Sequence, residues 1–170
     1  MRIREAEPGD AEAIASIHVR AWQDAYRGQL SDDYLDALRA DDRVGMQRRM
    51  LVEPRDGWTT WVAVDDARVV GFAVTGPSED ADADDRAGEL YAIYLEPARV
   101  GTGLGRALFE RAIGDLRSRG FTRSTLWVLD TNERGRRFFE RAGWAADGTT
   151  ASERVDGEMR QTVRYGATLT

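Results

Sequence analysis

The stretch Gly88–Arg106, GELYAIYLEPARVGTGLGR, leaves a chain of this kind few ways to fold. Leu90 to Leu95 are apolar or aromatic throughout, which suits a strand buried on both faces. Pro97 has no amide proton to give a sheet ladder, so the strand stops there. Gly101, Gly103 and Gly105 follow at two-residue spacing, and Ala107, Leu108, Phe109, Ala112, Ile113 and Leu116 then mark an amphipathic helix. A glycine-lined turn leading into a helix exposes backbone N–H groups at the positive end of the helix dipole, where phosphate oxygens bind well. Two nucleotide-binding patterns are excluded. The dinucleotide fingerprint G-x-G-x-x-G meets Arg106 when counted from Gly101 and Leu108 when counted from Gly103, and no Gly-Lys-Ser or Gly-Lys-Thr follows. On the glycines alone, an anion site and a tight turn with no ligand fit equally well.

Two blocks together carry a resemblance. Val100-Gly-Thr-Gly-Leu-Gly105, following a Tyr-Leu-Glu-Pro strand end, resembles the acetyl-CoA-binding motif Gln/Arg-x-x-Gly-x-Gly/Ala of the GNAT N-acetyltransferases. Gly103 and Gly105 match it, whereas Val100 stands at the Gln/Arg position and Arg99 falls one place early. Downstream, Asn132-Glu-Arg-Gly-Arg-Arg-Phe-Phe-Glu-Arg-Ala-Gly-Trp144 is similar to that family's Asn-x-x-Ala-x-x-Phe-Tyr-Glu-x-x-Gly-Phe. Two motifs in order and at the right distance are far more specific than either alone.

The resemblance implies a mixed α/β fold in one domain spanning 1–170, with a central mixed sheet of about seven strands flanked by about four helices. The fourth and fifth strands would splay apart. Acetyl-CoA would be the acetyl donor, its pantetheine arm pairing with the strand edge at Ile93, Tyr94 and Leu95 as an added strand does. Backbone amides across Val100, Gly101, Thr102, Gly103, Leu104, Gly105 and Arg106 would take the pyrophosphate. Asn132 would hydrogen-bond the donor and Phe138 pack against it. A homodimer through the terminal strands also follows from the resemblance.

Bulk properties narrow the class. A length of 170 residues suits one domain and is short for two. There is no cysteine, which removes disulfides, thiolate metal sites and a cysteine nucleophile, and no metal site is expected. A net charge of −6 argues against a general nucleic-acid binder and tilts the surface toward cationic amines. No apolar run reaches the ~18 residues a membrane helix needs. Met1-Arg2-Ile3-Arg4-Glu5 lacks the apolar core of a signal peptide, so a cytoplasmic protein is expected.

In chain order, Ile3–Glu7 reads as a strand ended by Pro8-Gly9, with Asp10 as cap of a helix striped by Ile14, Ile17, Ala21 and Ala25. Ser31 or Asp32 caps a second helix, and a further helical piece runs to about Leu51. His18, the only histidine, reads as a packed helix residue. Trp58–Asp65 and Val69–Thr75 make a hairpin, and Glu79–Asp85, with five acids, reads as a solvated loop whose functional version is an acidic lip. Phe121–Leu129 is a strand, Glu133–Arg141 a helix, and Asp156-Gly157 turns a closing pair of strands. By resemblance, the first helices roof the acceptor, so Trp22, Tyr26 and Tyr91 would touch an amine; packing against the sheet is the alternative for the first two.

Direct attack of an amine on the thioester is the implied chemistry. An alkyl ammonium must lose a proton first, and Glu89, at the start of the central strand, is the candidate base. The family tyrosine that hydrogen-bonds the departing sulfur is Phe139 here. Water, Tyr91, Tyr94 or no acid at all remain open for that step. The alternative to a small-molecule or peptide N-acetyltransferase is a non-catalytic acyl-CoA-binding module on the same fold.

Overall fold

The computed structural model describes all 170 residues. The chain forms β1 (Arg2–Glu5), α1 (Ala11–Tyr26), α2 (Asp32–Ala37), α3 (Asp41–Val52), β2 (Thr59–Asp65), β3 (Arg68–Pro77) and β4 (Ala87–Leu95). It continues through α4 (Leu104–Ser118), β5 (Arg123–Leu129), α5 (Glu133–Arg141), β6 (Ala145–Val155) and β7 (Glu158–Thr168). Short 3-10 turns at Pro8–Asp10 and Pro97–Arg99 precede α1 and α4. Five helices stand where about four were expected, because the piece running to Leu51 is a separate helix, α3.

One seven-stranded sheet, in the order β1-β2-β3-β4-β5-β7-β6, carries everything else. Every neighbouring pair is antiparallel except β4 and β5, which are parallel and joined through α4. Both tight hairpins turn on residues with positive φ: Asp66 and Ala67 between β2 and β3, Asp156 and Gly157 between β6 and β7. Two left-handed residues in a row match the twist of the flanking strands, which is why such turns close two-residue hairpins.

The sheet is covered on both faces. Against one face lie α4 and α5, with Leu104, Leu108, Phe109, Ala112, Ile113 and Leu116 of α4 buried against Trp61, Ala73, Leu90 and Leu126. These six recur at helical spacing along α4, and each of the five larger than Ala112 contributes about 1.5–3 kcal/mol relative to exposure. Ile14 and Ile17 of α1 bury against Val62, Phe72 and Val74 on the other face. Of the two expected helix caps, one is absent and one is present. Asp10 does not cap α1 with its side chain; its carboxylate accepts from the Glu7 amide and is held by both arms of Arg4, at 2.7 and 3.0 Å. Ser31 caps α2, its hydroxyl accepting from the Tyr34 amide.

The larger correction concerns β4. It is buried only over Ala87–Leu90, and Tyr91–Leu95 are half-buried. The pairing explains why. β4 and β5 share three rungs, Ala87↔Arg123, Gly88↔Ser124 and Glu89↔Thr125, and then diverge. On its other side β4 stays paired to β3, with an irregularity where Val74 faces Ala92 and Thr75 faces Leu90. Tyr91 is the extra residue of that bulge, and a bulge bends its strand and strengthens the local twist. The bend takes β4 away from β5 and opens the splay that the resemblance implies between the fourth and fifth strands, a wedge which hydrophobic periodicity alone does not foretell.

Candidate active site

A cavity of about 590 Å³ fills the wedge and is predominantly apolar. One wall is the free edge of β4, from Leu90 to Leu95; the facing wall is Leu126–Leu129 of β5 with Phe138 and Phe139 of α5. Trp22 and Tyr26 of α1 close it on one side, and Ala151–Glu153 of β6 contribute its rim. Of the residues singled out in the sequence, Trp22, Tyr26, Tyr91, Ile93, Tyr94, Leu95, Val100, Gly105, Asn132 and Phe138 line this one space.

Gly101, Thr102, Gly103, Leu104 and Arg106 do not line the cavity; they form the turn at its mouth. Gly101 and Gly103 have φ of 81° and 88°, and the Gly103 conformation is what lets the chain pass directly into α4. The amides of Gly101, Gly103, Leu104, Gly105 and Arg106 have no backbone acceptor. Five such donors at a helix start form a ready anion cradle, which fits a pyrophosphate. No side chain replaces the missing Gln/Arg at Val100, since Arg99 is held away by Asp65 at 2.8 Å. Leu104 turns its side chain into the core, and the Arg106 guanidinium pairs with Glu110 one turn on. Anything these two offer a ligand is therefore backbone.

Glu89 lies on the last shared rung of β4 and β5, at the vertex of the wedge. It is 6% exposed and does not line the cavity, so it reaches a bound amine only through a water or a small movement. Burial raises its carboxyl to about 7, helped by the neighbouring Asp80 charge and opposed by the Ser78 hydroxyl, which donates to it at 3.1 Å. A carboxylic acid titrating near neutrality suits a general base.

The tyrosines differ in how their hydroxyls are used. Tyr91 stacks on Trp58 with ring centres 4.0 Å apart and donates its proton to the Pro77 carbonyl at 2.6 Å. Tyr94 accepts from Trp22 Nε1 at 3.1 Å, and His18 stacks on its ring at 4.9 Å. His18 is the packed residue the sequence suggests, held neutral because burial, aided by the Arg43 charge, lowers its pKa to about 4. Tyr26 accepts from Asn132 Nδ2 at 3.2 Å. The Asn132 side-chain oxygen meanwhile accepts from the Gly135 amide at 2.9 Å and caps α5.

The acidic loop is not simply solvated. Arg164, 7% exposed, ties Asp80, Asp82 and Asp147 together at 2.6–3.1 Å, and Asp80 also accepts from Trp127 Nε1. Glu79 pairs with Arg55 and Asp84 with Arg123. The lip thus carries its own counter-charges, and its pull on a cation is weak. Sequence reasoning missed Trp127, Phe139 as a lining residue, the pair Asp24–Arg134 at 2.9 Å, and Glu153. Trp127 and Glu153 reach the cavity through β5 and β6, which β7 joins, and Asp24–Arg134 through the approach of α1 to α5, none of which a local pattern marks; Phe139 stands in the same α5 motif as Phe138.

Comparison with known proteins agrees with this geometry. Residues 12–144 match the model of the Acetyltransferase (GNAT) family. The N-acetyltransferase YuaI of Bacillus subtilis is 35% identical over 139 residues, covering 76% of this chain and 72% of the relative. Among solved structures, the PaiA N-acetyltransferase of Thermoplasma acidophilum in complex with coenzyme A superposes with a TM-score of 0.71 at 19% identity, covering 95% of this chain and 96% of the other. Ribosomal-protein-alanine N-acetyltransferase of Brucella melitensis gives a TM-score of 0.76 at 23% identity, covering 99% and 100%.

Proposed function

The chain belongs to the GNAT acetyltransferase family, with acetyl-CoA as its acetyl donor, and we propose that it acetylates a primary amine of a small molecule or peptide by direct attack within a ternary complex. The observation that carries this reading is the juxtaposition of five unpaired amides at the start of α4 with the open wedge between β4 and β5. The amides hold the pyrophosphate. The unpaired edge of β4 takes the pantetheine arm as an added strand, and an edge amide donates to the thioester carbonyl as negative charge grows on its oxygen. Tyr91 and Trp22 bound the acceptor side. Glu89 receives the amine proton, through a water because its carboxyl lies behind the cavity wall. The chain has no cysteine and needs no covalent intermediate for this route.

A thermal shift with acetyl-CoA, with NAD as control, tests the donor site first. A ligand at a hundredfold excess over its Kd stabilises the folded state by about 2.7 kcal/mol, which for a domain of this size raises Tm by about 5–10 °C. A shift with acetyl-CoA alone supports the cradle, and thiol release across a panel of amines then identifies the acceptor. No shift overturns the reading. A shift without thiol release from any amine favours the non-catalytic acyl-CoA module instead.

A further inference from the structure

We propose that the Tyr26 hydroxyl protonates the departing CoA sulfur, supplying from α1 the group that Phe139 of α5 lacks. The inference rests on the transfer reading above. Phe139 lines the cavity with a ring packed among Phe109, Phe138 and Tyr165, and it has no proton to give. Three tyrosines reach the same space. Tyr91 has already committed its proton to the Pro77 carbonyl. Tyr94 belongs to β4 itself, its ring fixed between His18, Phe72 and Trp22. Tyr26 stands across the wedge from β4, lines the same cavity and touches the cap of α5, the helix that carries Phe139.

The hydrogen bonds determine which way the Tyr26 proton points. Asn132 Oδ1 accepts from the Gly135 amide, so the orientation of the carboxamide is set and Nδ2 is the atom facing Tyr26. An amide nitrogen only donates, and the phenol oxygen must accept. The phenol proton takes no part in that contact and has no acceptor within the protein. Gly135 makes the arrangement possible. A Cβ at that position would fall 2.8 Å from Asn132 Nδ2 and push the carboxamide off the hydroxyl.

The charged and titratable groups around Tyr26 are Tyr94 of β4, Glu153 of β6 and Arg134 of α5, the last paired with Asp24 of α1. Burial, aided by the Tyr94 hydroxyl, raises the phenol's pKa; this keeps it protonated through the neutral range and makes it a weaker acid than a free tyrosine, so the proton moves only as charge grows on the sulfur. In the step itself the amine nitrogen forms the new N–C bond and the C–S bond breaks with its electron pair on sulfur. Tyr26 Oη gives its proton to that sulfur. The phenolate regains a proton from solvent at the cavity mouth, and Glu89 releases the amine's proton to solvent, so the balance is one amide and one CoA thiol.

Tyr26→Phe tests this with two readouts. With a turned-over amine, kcat falls about a hundredfold, while KM for acetyl-CoA stays within about twofold because no pyrophosphate or strand-edge contact is touched. Independently of turnover, the thiol of protein-bound CoA is titrated by its thiolate absorbance. Loss of a hydrogen bond to the thiolate raises the midpoint by about one pH unit in Tyr26→Phe relative to wild type. Asn132→Asp supplies a second variant: it keeps the α5 cap and the phenol, but its carboxylate draws the Tyr26 proton to itself, and kcat falls likewise. An unchanged kcat in either variant, a loss confined to KM, or an unchanged thiol midpoint overturns the assignment. If the midpoint moves but wild type turns over no amine, the transfer reading fails while the Tyr26 contact with sulfur stands.

Discussion

Replacing Glu89 with Gln should make the protein more stable in alkaline solution while making it a poorer catalyst. The carboxyl is 6% exposed, and its pKa is raised from 4.5 to about 7, first by burial and then by the Asp80 charge. Below pH 4.5 the group is neutral in both folded and unfolded chains and favours neither. Between 4.5 and 7 the unfolded chain ionises it while the folded chain does not, so native stability declines with rising pH. Above 7 the full loss applies, about 3–4 kcal/mol for a rise of this size. A glutamine side chain is neutral throughout and can still accept from the Ser78 hydroxyl. For a domain of this size, Tm of Glu89→Gln should therefore equal wild type near pH 4.5 and exceed it by about 7–14 °C at pH 8.5. Calorimetry in a pH series reads this directly. The same variant should lose about 10²–10⁴-fold in kcat/KM, with the limb of the pH–rate profile near 7 removed. Equal gains at pH 4.5 and 8.5, or no gain at either, would refute the buried, raised carboxyl; an unchanged pH–rate profile would refute its role as base.

Other outcomes follow from the same structure. Arg164→Ala leaves Asp80, Asp82 and Asp147 facing one another around an empty site, and should destabilise by about 3 kcal/mol, read as a lower urea midpoint with unchanged slope. Gly103→Val forces a β-branched residue to a φ of 88° at the anion cradle. It should weaken acetyl-CoA binding by at least about tenfold, as the amides turn away, and calorimetric titration with CoA checks this. Ala67, at a φ of 62°, holds a conformation that disfavours any side chain with a Cβ. Ala67→Gly should raise Tm by about 1–3 °C with no effect on turnover.

Most of the framework was legible in the chain. The helices α4 and α5 and the turn at Asp156-Gly157 come from local chemistry: apolar spacing, a side-chain cap at Asn132, and residues that tolerate positive φ. The glycine turn before α4 belongs with them, because its conformation is decided within a few residues. Reading β4 as buried on both sides failed for a physical reason. Whether Tyr91–Leu95 are covered depends on where β5 runs, and that depends on a bulge set by packing against β3. The acidic segment is the solvated loop the sequence suggests, with Glu79, Asp82, Asp84 and Asp85 exposed, but the partner that Asp80 and Asp82 find in Arg164, more than eighty residues away in sequence, was not legible. Sequence alone thus determined the glycine turn before α4 and the order of elements, both products of short-range preference. The wedge, the raised carboxyl of Glu89 and the free proton of Tyr26 were decided only by the tertiary structure, because each arises where segments distant in sequence shield one another from water or hold one another's hydrogen bonds.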